Sequence, residues 1–282
     1  MSNRLKKIWT GPETGDPKPI IYLGGNVHDR DVITELTKFI RFYCISYFYL
    51  AVHTDHRKFL PLFEKHGIRM FLDSGAFSYQ MLAMNRKRAL DKKLAAPLID
   101  QYVDYIYASP YTFDFFVTLD YARNIEATRW ATERIEARGL HPVPVYHLGS
   151  SVTGLRDLID RGYPLIGLGA LVGAGPKRNA FLDQVFNLTE RHRVKCHGFG
   201  VTGEVIFQYP WFSVDSSTWI MEAMRGKARY QSGVVATSKC RAVIKNEALE
   251  NRYQLLLHNA RYWTDLTMKS LGSKVVAKKA LF

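Results

Sequence analysis

Short apolar runs alternate with segments of helical period along almost the whole chain. Eight runs read as strands: Ile20–Gly24, Phe42–Leu50, Ile68–Asp73, Phe113–Asp120, Pro142–His147, Pro164–Gly169, Val194–Gly200 and Phe212–Asp215. Between them apolar residues recur at three- and four-residue spacing. Val32, Ile33, Leu36, Phe39 and Ile40 share one helical face, and Leu98, Ile99, Tyr102, Val103 and Ile106 share another. Leu155, Leu158 and Ile159 form a third, behind Ser150-Ser151 as a cap. The intervening segments are long enough for crossover helices, which parallel strands need because a tight turn only reverses direction. Eight such alternations predict an α/β fold, a (β/α)8 TIM barrel. An open doubly wound sheet is the alternative, but Gly24-Gly25-Asn26 after the first strand falls short of a GxGxxG turn. Pro61 sits awkwardly inside the second helical segment.

The pattern changes near the end. From Ala223 to Asn246 there is no acid, while Arg225, Lys227, Arg229, Lys239, Arg241 and Lys245 are basic. A helical stretch with Leu255, Leu256 and Leu257 follows, and the tail adds Lys269, Lys274, Lys278 and Lys279. The expected organisation is one domain over residues 1–282, with the barrel over about 20–225 and a basic C-terminal extension over about 226–282.

Composition narrows the class. A chain of 282 residues can bury one sizeable core. The net charge of +13 favours a polyanionic partner, nucleic acid above all, with plain solubility as the alternative. Cys44, Cys196 and Cys240 are far apart and form no CxxC pair, which fits a reducing compartment and no metal cage. Met1 to Asp16 has no apolar run after its basic residues, and the run from Phe42 to Val52 is too short to span a bilayer. The expected location is cytoplasmic, with no membrane partner.

Reactive residues of a barrel sit at the C-terminal ends of its strands. Those ends carry Asp73, Asp120, His147, Gly169, Gly200 and Asp215. Each Asp closes an apolar run, so it is part-buried and costly unless paired or used. Aspartates also end strands simply as caps for the next helix, and a lone strand-end His is often a core residue. His53 and His56 read as surface residues, and His197 beside Cys196 as packing. Phe71-Leu72-Asp73-Ser74-Gly75-Ala76-Phe77 is the most specific stretch: a strand, a carboxylate, a tight turn, then an aromatic.

Asp73-Ser74-Gly75-Ala76-Phe77 resembles the Asp-Ser-Gly-Gly-Phe signature of tRNA-guanine transglycosylases, which follows the third strand of a (β/α)8 barrel in that family. Gly167 to Gly173 is similar to the family's Gly-rich loop, and Gly198-Phe199-Gly200 to its later glycine motif. The family's Cys-Cys-Cys-His zinc cluster is absent, as is the Pro-Thr-Arg after its nucleophile, where Ser216-Ser217-Thr218-Trp219 stands. What remains looks like the compact, zinc-less phage branch that puts 7-deazaguanine bases into DNA.

The resemblance implies a pentosyltransferase exchanging guanine in DNA for a free 7-deazaguanine base, such as 7-cyano-7-deazaguanine. Asp215 would be the nucleophile and Asp73 the general acid/base. Phe77, Asp120, His147, Gly169 and Ser74 would hold the base. Arg86, Lys87, Arg88, Arg225, Lys227, Arg229, Lys239 and Arg241 would bind nucleic acid, DNA favoured over tRNA, and Tyr230, Tyr253, Tyr262 and Trp263 could stack on bases. No cofactor and no metal is implied, and the chain would act as a monomer or homodimer. The alternatives are a zinc-less tRNA enzyme, a hydrolase passing the sugar to water, and a catalytically silent nucleic-acid-binding subunit.

Overall fold

The computed structural model describes residues 19–25, 27–52, 57–85, 87, 90–121, 124–230, 233–236 and 248–279. Seven of the apolar runs are strands: β1 (Ile20–Leu23), β2 (Phe42–Ser46), β3 (Arg69–Asp73), β4 (Val145–His147), β5 (Leu165–Gly169), β6 (Lys195–Gly198) and β7 (Ser213–Ser216). They lie parallel in the order β3-β2-β1-β7-β6-β5-β4 and form one curled sheet. Helices make the crossovers. These are α1 (Arg30–Thr37), α2 (Tyr47–Val52), α3 (Leu60–Lys65), α4 (Ala76–Asn85), α5 (Lys92–Ala108) and α6 (Ile125–Glu136) before β4. After it come α7 (Val152–Asp160), α8 (Pro176–Arg191), α9 (Val205–Gln208) and α10 (Thr218–Met224).

The fourth expected strand, Phe113–Asp120, is not a full ladder. Only Phe116 and Val117 bridge, to Leu72 in β3 and to Val143 just before β4. The Tyr102 hydroxyl stands 3.2 Å from the Leu72 carbonyl and 3.0 Å from that of Val117, occupying acceptors beside the bridge. Asp114 is committed elsewhere, accepting from the Tyr22 hydroxyl at 2.6 Å and from Arg69 at 2.6 and 2.9 Å. The sheet therefore has seven strands where eight were expected, its outer strands β3 and β4 linked through this segment.

The second run is also shorter than its composition suggests. Ser46 pairs with Asp73, the last residue of β3. Beyond that register no neighbouring strand remains, and Tyr47–Val52 satisfies its backbone as helix α2 instead. Pro61 proves well placed, because it lies in the first turn of α3, where its missing N–H costs nothing.

Alternate residues of the strands point into the curl. Tyr22, Phe42, Phe71, Phe115, Val145 and Leu165 belong to one core enclosed by the sheet, while a larger core lies between sheet and helices. The basic stretch contains an unforeseen antiparallel hairpin, β8 (Lys227–Tyr230) with β9 (Gly233–Ala236). The last helix, α11 (Ala248–Lys279), packs on α1, α10 and β1. Its Ala260 and Trp263 lie in the larger core. Asn259 fastens it: buried, it accepts from the Arg229 N–H at 2.9 Å and donates to the Lys227 and Trp219 carbonyls at 3.0 and 3.2 Å. Among the described residues no helix is long and apolar enough to cross a membrane.

Candidate active site

The C-terminal strand edge gathers three carboxylates and two histidines. Asp73 ends β3, and its Oδ2 accepts the Gly75 N–H at 2.8 Å. That turn needs glycine: Gly75 has φ +76°, and a Cβ there would stand 2.4 Å from Cβ of Phe48. Burial raises the Asp73 carboxyl to about 7, helped by the negative charges of Asp120 and then Asp215. Hydrogen bonds from the Gly75 N–H and the Ser46 side chain pull the other way and lose. An acid in this condition is part protonated at neutral pH.

Asp120 lies just past the Phe116–Val117 bridge. Its Oδ2 is 3.0 Å from Nε2 of buried His147, and its backbone carbonyl accepts from the Gln80 side chain at 2.7 Å. His147 ends β4 opposite Gly169 on β5. A Cβ on Gly169 would meet Cδ2 of His147 at 2.7 Å, so the glycine is what admits the imidazole.

Asp215 lies on β7, and its Oδ1 accepts the Gly200 N–H at 3.1 Å. The same oxygen is 3.5 Å from Nε2 of His197, which is wholly buried inside the curl. Cys44, inward on β2, ties the two halves of the site together. Burial pushes its thiol well up, and the charges of Asp215 and then Asp73 push it further. Such a thiol stays protonated and is no nucleophile. Among the described residues no three His, Cys, Asp or Glu side chains are grouped to hold a metal ion.

Other expected site residues are placed differently. Phe77 is in the first turn of α4 and 74% exposed. Ser74 is buried and spends its hydroxyl on the Thr118 carbonyl at 2.9 Å. The Gly169 carbonyl is taken by the Leu148 N–H at 3.2 Å. Arg229 is ion-paired with buried Glu222 and lies over the Trp263 ring, so it is a structural cation and not a free one. Trp263 itself is buried. Lys87 and Arg225 are exposed and Lys227 is half-buried, while Arg86, Arg88, Lys239 and Arg241 lie outside the described residues, as do Cys240, His53 and His56.

Sequence reasoning missed His197, Ser46 and Cys44 as site residues. Strand parity was the available signal: His197 is two residues from inward Phe199, and Ser46 and Cys44 alternate with outward Ile45.

No protein-family model matches this sequence, and no curated protein does. Solved structures do resemble it. A protein described as a fructose-1,6-biphosphate aldolase of Coccidioides immitis superposes with a TM-score of 0.52 at 14% identity, over 90% of each chain. The YdjI aldolase of Escherichia coli K12 does so with a TM-score of 0.52 at 10% identity, covering 91% of this chain and 92% of its own. The tryptophan synthase alpha chain of Legionella pneumophila gives 0.46 at 11% identity, over 88% and 92%. Identities this low show a shared fold and nothing of the chemistry. They nonetheless overturn the transglycosylase resemblance: the two structures that superpose best of these three are aldolases, not tRNA-guanine transglycosylases. Strand-end aspartates and glycine-rich loops recur wherever parallel strands feed helices, which is how the motifs misled. With the resemblance go guanine exchange and DNA modification. What the comparisons establish is an α/β fold with a curled parallel sheet, similar to TIM-barrel enzymes.

Proposed function

We propose that the protein is an enzyme of proton-transfer chemistry on a small polar substrate, working at the C-terminal strand edge. Asp73 is the general acid. Asp215, steadied by the Gly200 N–H, is the carboxylate that takes a proton or attacks. Asp120 with His147 orients the substrate and supplies the nearby charge that keeps Asp73 protonated. The observation that carries this reading is that Asp73 and Asp215 stand at the same strand edge, each holding a backbone N–H, while burial raises the Asp73 carboxyl to about 7. A buried carboxyl kept protonated beside a second carboxyl group can act as the acid of such a pair.

The aldolases of similar fold suggest carbonyl and polyol compounds as the first substrates to try. An imine-forming route finds no lysine at the ends of the described strands, which close on Leu23, Ser46, Asp73, His147, Gly169, Gly198 and Ser216. Acid–base work by carboxylates fits those ends better.

The test is turnover of a panel of neutral sugars, hydroxy-aldehydes and hydroxy-ketones, followed by proton NMR. Asp73→Asn and Asp215→Asn should each lower the rate by a factor of about 100 or more while leaving thermal unfolding cooperative. An Asp73→Asn variant as active as the parent would refute the assignment.

A further inference from the structure

The centre of the curl holds a polar group that the site chemistry above does not use. His197 is completely buried, and its ring is walled by Phe199, Phe71 and Phe115 at centroid distances of 4.7, 4.9 and 5.2 Å. Tyr22 is also near, at 6.4 Å, but its hydroxyl is given to Asp114. Nδ1 lies 2.8 Å from the Ser213 hydroxyl. Nε2 is buried and makes no hydrogen bond, and the polar atom it faces is Oδ1 of Asp215 at 3.5 Å.

A neutral imidazole can be arranged here in two ways. With the proton on Nδ1, the ring donates to Ser213 and turns a bare lone pair toward a carboxylate oxygen, setting two acceptors face to face. With the proton on Nε2, the Ser213 hydroxyl donates to Nδ1 and the N–H points at Asp215. Only the second arrangement leaves no buried nitrogen opposed to an acceptor.

We infer that His197 is a positioning residue that holds one oxygen of Asp215 and thereby selects the other as the working atom. The assignment rests on Asp215 being the working carboxylate of the proposed enzyme. Oδ1 then faces two donors, the Gly200 N–H and the His197 Nε2–H. Oδ2 lies beside Gly24, where even a methyl group would sit only 3.2 Å away, and it is left to meet substrate. Ser213 fixes the tautomer, and Gly24 keeps the free oxygen clear. The titratable groups around Asp215 are His197, Cys44 and Asp73; those around His197 are Asp215 and Tyr22.

The experiment is side-chain NMR on the full chain, needing no substrate. Long-range proton–nitrogen spectra should show His197 with its proton on Nε2, and Ser213→Ala should turn that single form into a mixture. The Asp215 carboxyl carbon should shift in His197→Phe, which keeps the aromatic packing. It should return toward the parental position in His197→Gln, whose amide can reach the Nε2 position. A proton found on Nδ1 in the parent protein would overturn the inference even if His197→Phe failed to fold. So would an Asp215 resonance that is the same in parent and His197→Phe. The titration of Asp73, read in the same spectra, tests the enzyme reading separately. Loss of that titration near neutral pH with the Nε2 proton in place would strike the reading; the reverse pair of results would strike only the role of His197.

Discussion

Nε2 of His147 stands 3.0 Å from Oδ2 of Asp120, and it can do so only because Gly169 has no side chain. In Gly169→Ala the new methyl would lie 2.7 Å from Cδ2 of the ring, which is boxed in because His147 is buried. The ring must move and the pair must break. We expect a stability loss of about 1–3 kcal/mol in urea unfolding, the usual cost of overpacking a filled interior. Unchanged stability would mean that the ring is not confined as described.

Asp73 also makes stability depend on pH. Its folded value of about 7 lies above the unfolded carboxylate range, near 3.9. Between those values the folded chain keeps a proton that the unfolded chain releases. Stability is therefore greatest below the unfolded value and falls as pH rises through the folded one. Asp73→Asn lacks this term. Compared by urea unfolding at about pH 5 and about pH 8, the variant should gain on the parent at the higher pH. Parallel behaviour of the two proteins would contradict the raised value.

Besides its apolar packing, helix α11 is fastened by one buried amide, Asn259, at a junction of three backbone groups. Asn259→Ala would strand the Arg229 N–H and the carbonyls of Lys227 and Trp219. Each stranded buried group costs about 1–3 kcal/mol, so a loss on the order of 3 kcal/mol or more is expected. Limited proteolysis should then cut within α11 before the sheet opens. First cleavage elsewhere, at parental stability, would show that Asn259 is not the fastener.

Much of the sheet was legible because buried parallel strands read as short apolar runs, and seven of eight proved to be strands. Their acidic ends were legible for the same reason, since a carboxylate closing such a run is conspicuous: Asp73 ends β3 and Asp215 is the residue before the end of β7. The failures share a cause. Phe42–Leu50 looks like one strand, but whether Tyr47 continues it depends on β3 ending at Asp73, a fact about a partner strand. Phe113–Asp120 carries the right residues and bonds to the backbone on both sides, yet Tyr102, from a different element, takes the Val117 carbonyl. His197 looks like packing in a one-dimensional reading, and only the pairing of β6 with β7 brings it beneath Asp215. Arg229 looks like one more surface cation until Glu222 is seen beside it. The family resemblance failed for a related reason: short motifs at strand ends belong to the architecture as much as to any one chemistry.

Carbon-13 NMR of the Asp73 carboxyl group across a pH series tests most directly whether its neighbours poise it as the proposed acid at neutral pH. The midpoint should fall near 7 in the parent and drop by on the order of one pH unit in Asp120→Asn, which removes the larger of the two carboxylate charges acting against ionisation. A midpoint near 4 in the parent, unmoved by Asp120→Asn, would mean that Asp73 is an ordinary strand-end carboxylate and that the acid–base reading of this edge is wrong.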